Sequence, residues 1–390
     1  MNSIIYSLSI IGSIVAGATF LPISLNGVEM RYLLHGLSVL ALLVLVVGVI
    51  YKPTSSTVLL QGSGATFPLP QLMAWIKEFM REYPWVIVSY RGIGSGAGQS
   101  EFFSHVTDFC GSDPPLTHEQ WVKLHGRVMQ VPYLLGAVVV TYNLPGFHGT
   151  LNLSGRVLAL IYLGRIAYWD DPRIQELNPG YRFPHKPIIV VYRADASGTQ
   201  YIFTLFLHKA APDLWPWSLV SKAPKYPVMS SPRARGGKGN PGVAQIIINT
   251  PYSIGFVEWG YAIEEHLPVA AIENPYGELV KPSLESIVLA ARAAARHLPA
   301  TPCGDFSRDL YYIVYAKEHG AYPLASWTHL VLWSSYQSRS KSRALALLLK
   351  WIAFKGYSVL VPGYAPPPKK VRLLLIEAAN QLLRGGVCGG

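Results

Sequence analysis

From residue 57 onward the chain alternates short apolar runs with stretches in which apolar positions recur every three or four residues, a pattern that predicts strands followed by helices. Val58-Leu59-Leu60 opens the series. Leu72, Trp75, Ile76, Phe79 and Met80 then mark one face of a helix that must end before Pro84. Val86 to Tyr90 predicts a second strand, Gly92 to Gly98 a loop, and Gln99 to Val106 the next helix. Ala137 to Tyr142 and Ile188 to Tyr192 predict further strands. Ser197 is a natural N-cap for a helix carried by Ile202, Phe203, Leu205 and Phe206. Leu284 to Arg296 predicts an alanine-rich helix, and the apolar stripe from Leu345 to Trp351 belongs to a core. There is no internal repeat, and the layout is α/β.

The pattern ahead of residue 57 is different. Residues 4 to 25 carry no charge, and residues 32 to 51 form an apolar run. At about 1.5 Å per residue this run spans roughly 30 Å, the hydrocarbon thickness of a bilayer. Three readings are open for residues 1–53: a two-helix hairpin, a single signal-anchor preceded by an interfacial segment, or a start at Met30-Arg31 with the apolar run as secretory signal or anchor. No small-x-small cleavage site follows Tyr51 and no cysteine offers itself for lipid, which favours an uncleaved anchor. Lys52 to Ser56 reads as a linker, and each reading exports residues 54–390 to the extracytoplasmic side.

A chain of 390 residues is long enough for two cores, and 50% hydrophobic against 14% charged residues excludes a disordered protein. The net charge of +11 raises the question of nucleic acid. The basic residues are nevertheless dispersed, apart from Arg233 to Lys238 and Lys369-Lys370, and no basic stripe interleaved with aromatics is present, so no nucleic-acid partner is expected. A positive surface suits a small anion or an anionic membrane. The three cysteines and eleven histidines show no metal-ligand spacing, and no metal or cofactor is expected. A disulfide between Cys303 and Cys388 is possible in an exported protein, with Cys110 a buried thiol.

Two strings carry the chemistry: Gly62-Ser-Gly64-Ala-Thr66-Phe67-Pro68 and Arg193-Ala-Asp195-Ala-Ser197-Gly198-Thr199. Each sets glycines and hydroxyls ahead of a helical pattern, where free backbone N–H groups and the helix dipole attract negative charge. A dinucleotide fingerprint at Gly92-Ile-Gly94-Ser-Gly96 fails on spacing, since the third glycine falls on Ala97 or Gln99.

Seven motifs then occur in a fixed order: Gly62 to Pro70, Gly92-Ile-Gly-Ser95, Gly111-Ser-Asp113-x-Pro-Leu116, Ile161 to Asp170, Arg193 to Thr199, Gly236 to Asn240, and Ile254 to Glu258. In this order the chain resembles the phosphate-binding proteins of ABC importers from about Thr57 to Leu383. The resemblance implies a type II periplasmic-binding fold, with two α/β lobes closing on a ligand in the cleft between them. Lobe one would be residues 57–133 plus 260–390, and lobe two residues 134–259, with crossings near Tyr133 to Gly136 and Glu258 to Tyr261. The implied ligand contacts are Thr66, Phe67 through its backbone N–H, Ser95, Asp113, Arg193, Ser197, Gly198 through its backbone N–H, and Thr199. Asp195 would orient Arg193, and Gly64, Lys238 and Asn240 would stand behind the contacts. The implied partners are inorganic phosphate and an ABC permease, with transmembrane subunits and a cytoplasmic ATPase. The role is that of a receptor, not an enzyme.

Such a cage makes physical sense. A desolvated dianion must be met by many hydrogen bonds, which one arginine, hydroxyls and backbone amides supply. Asp113 selects. Phosphate near neutral pH has a proton to give a carboxylate and sulfate has none, at a cost of roughly 1–3 kcal/mol or more. Two alternatives remain: a receptor for another oxyanion (sulfate, tungstate or molybdate), and an extracellular phosphatase on the same scaffold. Three departures from the family stand out. The leader is an apparent anchor, residues 264–323 match poorly and offer a partner-specific surface, and Gly111 and Pro114 are substitutions that put the rotamer of Asp113 in question.

Overall fold

The computed structural model describes residues 57–124 and 126–388. The apolar stretches at 4–25 and 32–51 lie outside them, and no helix among the described residues is long and apolar enough to cross a membrane. Eight strands form the main sheet: β1 (Val58–Gly64), β2 (Val86–Gly92), β3 (Phe109–Ser112), β4 (Val128–Asn143), β5 (Ile189–Arg193), β6 (Ala234–Gly237), β7 (Ser253–Glu258) and β8 (Ala325–Trp333). Their order is β2-β1-β3-β8-β4-β7-β5-β6. β1 pairs in parallel with β2 and β3, and β5 with β6 and β7, as strand–helix–strand units require. β8 inserts antiparallel between β3 and β4.

β4 joins the two halves. Its residues up to Ala137 pair with β8, and from Val138 to Asn143 they pair with β7. A single strand of 16 residues, buried but for its last residue, therefore spans both halves, antiparallel to its neighbour in each. The expected strand at Ala137 to Tyr142 is only the second half of it. The earlier residues, apolar but for Gln130, lack the alternation of a half-exposed strand.

The helices follow their strands. α1 (Leu69–Glu82) buries Leu72, Trp75, Ile76 and Phe79, as its spacing predicts, and ends at Tyr83 ahead of Pro84. The Trp75 indole donates to the Gly356 carbonyl at 2.7 Å, which ties α1 to the C-terminal third. The next helix begins earlier than expected. α2 (Ser95–Phe103) starts inside the glycine loop and stops before Val106. Gly94, at φ +91°, makes the turn that lets Ser95 open the helix. α3 (Gly198–Ala210) is capped by Ser197, whose Oγ accepts from Gln200 N at 3.2 Å. α4 (Gly239–Asn249) follows β6, and α5 (Trp259–Glu264) follows β7. α6 (Leu284–Ala295) is the alanine-rich helix, with Ala290, Ala291 and Ala294 buried. α7 (Asp309–Ile313) follows it, and α8 (Arg339–Phe354) and α9 (Lys369–Arg384) pack on each other and close the core. Cys303 and Cys388 are disulfide-bonded, with Cα atoms 5.7 Å apart. Cys110 is a buried free thiol.

Candidate functional site

The parallel strands of both halves end on the same set of residues, as expected for ligand sites in open α/β sheets. β1 runs into Thr66 and Phe67, β2 into Ser95, β3 into Asp113, β5 into Arg193 and Asp195, and β6 into Asn240. Gly64 allows the first of these ends to close. Its φ is +143°, and a Cβ there would lie 2.0 Å from the Gly111 carbonyl oxygen of the neighbouring strand.

The polar side chains are enclosed: Thr66, Ser95, Asp113, Arg193, Ser197, Thr199 and Asn240 are each at most 4% exposed. Arg193 is held by Asp195 through two parallel bonds, Nε to Oδ1 at 2.9 Å and Nη2 to Oδ2 at 2.6 Å. Asp195 Oδ1 also accepts from Gly239 N at 3.0 Å. Burial alone would raise the Asp195 pKa, but the Arg193 pair more than reverses this and holds the carboxyl below its usual range. The remaining guanidinium nitrogen, Arg193 Nη1, is buried without a partner among the described residues. A buried donor without an acceptor costs on the order of 1–3 kcal/mol, more when charged, so this atom marks where an acceptor belongs.

Asp113 is fixed from three sides. Its N–H donates to Ser95 Oγ at 3.3 Å, its Oδ1 accepts from Thr328 Oγ1 at 2.8 Å, and its carbonyl lies 2.9 Å from His329 Nδ1. This settles the rotamer despite the flanking Gly111 and Pro114. Oδ2 is turned toward Gly198, where a methyl in place of the glycine hydrogen would come within 2.3 Å of it and 2.5 Å of Ser95 Oγ. Burial pushes the Asp113 carboxyl up to about 7, against the opposing pull of the Thr328 hydrogen bond and the Arg193 charge.

Asn240 joins the ends of β1 and α3. Its Nδ2 donates to Thr66 Oγ1 at 3.1 Å and to Thr199 Oγ1 at 3.2 Å, while Oδ1 accepts from Glu258 N at 3.0 Å. Phe67 is fully buried, its carbonyl accepting from Tyr364 Oη at 2.7 Å. Lys238, grouped with Asn240 on sequence, is exposed at the N-cap of α4, so its ammonium stands outside the enclosed set. A half-buried lysine, Lys222, instead donates its Nζ to Gln99 Oε1 at 2.5 Å. Gln99 Nε2 in turn donates to Ser112 Oγ at 3.0 Å. Burial lowers the Lys222 pKa. Neither Lys222 nor Thr328 and His329 carries a local sequence signal; Thr328 meets Asp113 across 215 residues. A surface cavity of about 480 Å³ lies elsewhere, at the C-terminal ends of α3 and α6. Its basic residues Lys209 and Arg296 complement those helix ends and need no ligand to explain them.

The set thus offers one guanidinium nitrogen unpaired among the described residues, four hydroxyls, two helix N-termini and one carboxylate oxygen, all desolvated. That is the chemistry of a small tetrahedral oxyanion with at least one proton. Comparisons with known proteins point the same way. A model of the PBP superfamily domain matches residues 52–354. The chain is 39% identical to the phosphate-binding protein PstS of Methanocaldococcus jannaschii, over 84% of this chain and 87% of that protein. It is 34% identical to that of Pasteurella multocida, over 82% and 89%. Among solved structures it is similar to a high-affinity periplasmic phosphate-binding protein (PfluDING) bound with phosphate, with a TM-score of 0.64 at 19% identity over 80% of this chain and 92% of that one. A human phosphate-binding apolipoprotein gives a TM-score of 0.64 at 20% identity over 85% and 98%. At these identities the structures speak for the fold alone.

Proposed function

Because the chain belongs to the PstS phosphate-binding proteins of the PBP superfamily, we infer that it captures inorganic phosphate outside the cytoplasm and delivers it to an ABC-type permease, tethered to the membrane through residues 1–53. The observation that carries this reading is the pairing of a buried, unpartnered Arg193 Nη1 with a buried Asp113 whose Oδ2 is turned inward. A cation alone would take any oxyanion; with a carboxylate opposite, the favoured anion must both accept and donate.

In this reading Arg193, Thr66, Ser95, Ser197, Thr199 and the N–H groups of Phe67 and Gly198 donate to phosphate oxygens, while Asp113 Oδ2 accepts the phosphate proton. Asp195 positions Arg193 and Asn240 positions both threonines. The two halves of the sheet act as lobes, 57–133 with 260–390 against 134–259, that part around β4 and the β7–α5 junction. Glu258 at that junction is buried and accepts from Gly260 N and Tyr364 Oη, each at 2.9 Å.

The test is calorimetric titration of residues 54–390, freed of bound anion, with phosphate and then sulfate, for wild type and Asp113→Asn. Tight one-to-one phosphate binding with little sulfate response is expected. Asp113→Asn narrows the gap between the anions by at least about tenfold, the equivalent of roughly 1.4 kcal/mol. Equal loss for both anions in the variant refutes the proton-reading role, and a wild-type preference for sulfate or molybdate refutes the ligand. A separate assay with a chromogenic phosphate ester checks the phosphatase alternative, which requires turnover.

A further inference from the structure

Behind Asp113, away from the anion contacts, lies a second buried acid–base pair. β8 alternates its side chains, so Thr328 faces one side of the sheet while Trp327 and His329 face the other. Against β4 the register slips between Thr328 and His329, from Leu134 to Pro132. Such an irregularity re-aims neighbouring side chains. Thr328 and His329 both reach Asp113, one at its carboxylate and the other at its carbonyl. On its far edge His329 Nε2 lies 2.5 Å from Asp309 Oδ2, which also accepts from Trp327 Nε1 at 3.0 Å. His329 and Asp309 are 0% and 1% exposed at their side chains.

The hydrogen-bond inventory fixes the proton count. A carbonyl only accepts, so His329 Nδ1 must carry hydrogen. Nε2 faces a carboxylate oxygen that already accepts an indole N–H, and between these two atoms sits one more proton. With the hydrogen on the ring, His329 is an imidazolium donating both ways between Asp309 and Asp113. Burial alone would lower the His329 pKa, and the Asp309 charge more than reverses this. Burial disfavours the charged form of the other titratable groups around Asp113. Burial raises Tyr90 on β2, Cys110 on β3, Tyr133 on β4, Glu258 on β7 and Tyr261 on α5. That leaves two cationic groups facing it, Arg193 already paired with Asp195, and His329.

We propose that Asp309 and His329 form a positioning pair that holds Asp113 in place and keeps its carboxyl able to ionise near neutral pH, and so set the preference for an oxyanion that carries a proton. The idea rests on the phosphate reading above. Ser95, Thr328 and His329 occupy the amide, one carboxylate oxygen and the carbonyl of Asp113, and leave Oδ2 as the acceptor for the ligand. Were the charge behind it removed, Asp113 would take a proton of its own at higher pH. It would then donate to sulfate and lose the discrimination. Neither His329 nor Asp309 touches the ligand in this scheme. Asp309 opens α7, inside the 264–323 segment whose sequence departs from the family pattern.

The experiment has two arms. In the first, ¹⁵N spectra of the imidazole rings of the unliganded wild-type protein should show His329 protonated on both nitrogens through pH 8. A ring nitrogen without hydrogen overturns the ionised pair. In the second, phosphate and sulfate are titrated at pH 6 and pH 8 into wild type, Asp309→Asn and His329→Gln. Asp309→Asn keeps the Nδ1 donor but not the charge, and His329→Gln places an uncharged amide donor there. Each should retain phosphate binding at pH 8 within about threefold and cut the phosphate-to-sulfate ratio at pH 6 by about tenfold, the effect of one unit in the Asp113 pKa. A ratio that is unchanged at both pH values overturns the proposal, since a merely structural role would weaken both anions alike. A wild-type protein that binds no phosphate overturns the functional reading instead, and the first arm still judges the pair.

Discussion

Gly198→Ala separates ligand capture from folding. Gly198 is the first residue of α3, where alanine is the better helix former by about 0.5–1 kcal/mol. On local grounds the substitution should stabilise the empty protein slightly. Its methyl, however, would lie 2.3 Å from Asp113 Oδ2, 2.5 Å from Ser95 Oγ and 2.6 Å from Asp113 Cβ, against 3.4 Å or more for ordinary contact. Asp113 cannot swing aside without breaking its bonds to Thr328, His329 and Ser95. If 57–133 with 260–390 and 134–259 part as lobes, the empty protein avoids the overlap by opening and only the closed, liganded form meets it. Overpacking of this kind costs about 1–3 kcal/mol, which is roughly 5- to 150-fold in phosphate affinity. Calorimetry should show that loss while the melting temperature of the anion-free protein stays level or rises, and small-angle scattering should show less compaction on adding phosphate. Wild-type affinity in the variant, or a fall in anion-free stability matching the fall in affinity, would refute the reasoning, because the three segments would then be in contact whether or not ligand is present.

Arg193→Ala should weaken phosphate binding by at least about 100-fold in the same titration, since it strips a buried charged donor from the anion and strands Asp195 as well; Arg193→Lys should rescue only part, lacking the planar fork. Asp113 also makes the anion-free protein pH-sensitive. Its carboxyl titrates at about 7 when folded against an ordinary 3.8, so its contribution is full below pH 4 and is lost as pH rises toward 7, about 4 kcal/mol at most. Urea unfolding between pH 4 and 8 should show wild type losing stability relative to Asp113→Asn over that window, and parallel curves would contradict it. Replacing Cys303 and Cys388 by serine should lower stability by up to about 4–5 kcal/mol, given a separation of 85 residues, with no change in phosphate affinity.

Much of this is legible in the sequence where function rests on local signals. Ser197 reads as an N-cap, the α1 stripe with Pro84 reads its own end, and the loops around Thr66 and Ser197 carry the pattern from which the anion site is proposed. The failures share one physical cause. Thr328, His329 and Lys222 act through strand or loop neighbours far along the chain, and nothing near them in sequence distinguishes them from ordinary core or linker residues. Lys238 misleads for the opposite reason: it sits in the right loop but on its solvent side. The first half of β4 escapes detection because a strand buried on both faces has no alternation to read.

The position of β8 bears on the order of events during synthesis. It is the fourth strand of eight across the sheet, yet it is the last made, and it pairs with β3 across more than 200 residues. Closing so long a loop is slow, and until it closes β3 and β4 present unpaired edges. A chain that emerges N-terminus first therefore spends its early life as an open sheet that calls for protection from aggregation. Thr328, which completes the setting of Asp113, arrives with the same strand. If Asp113 reads the phosphate proton as proposed, tight binding becomes available only when the final third of the chain is in place, so that a loaded protein is also a finished one.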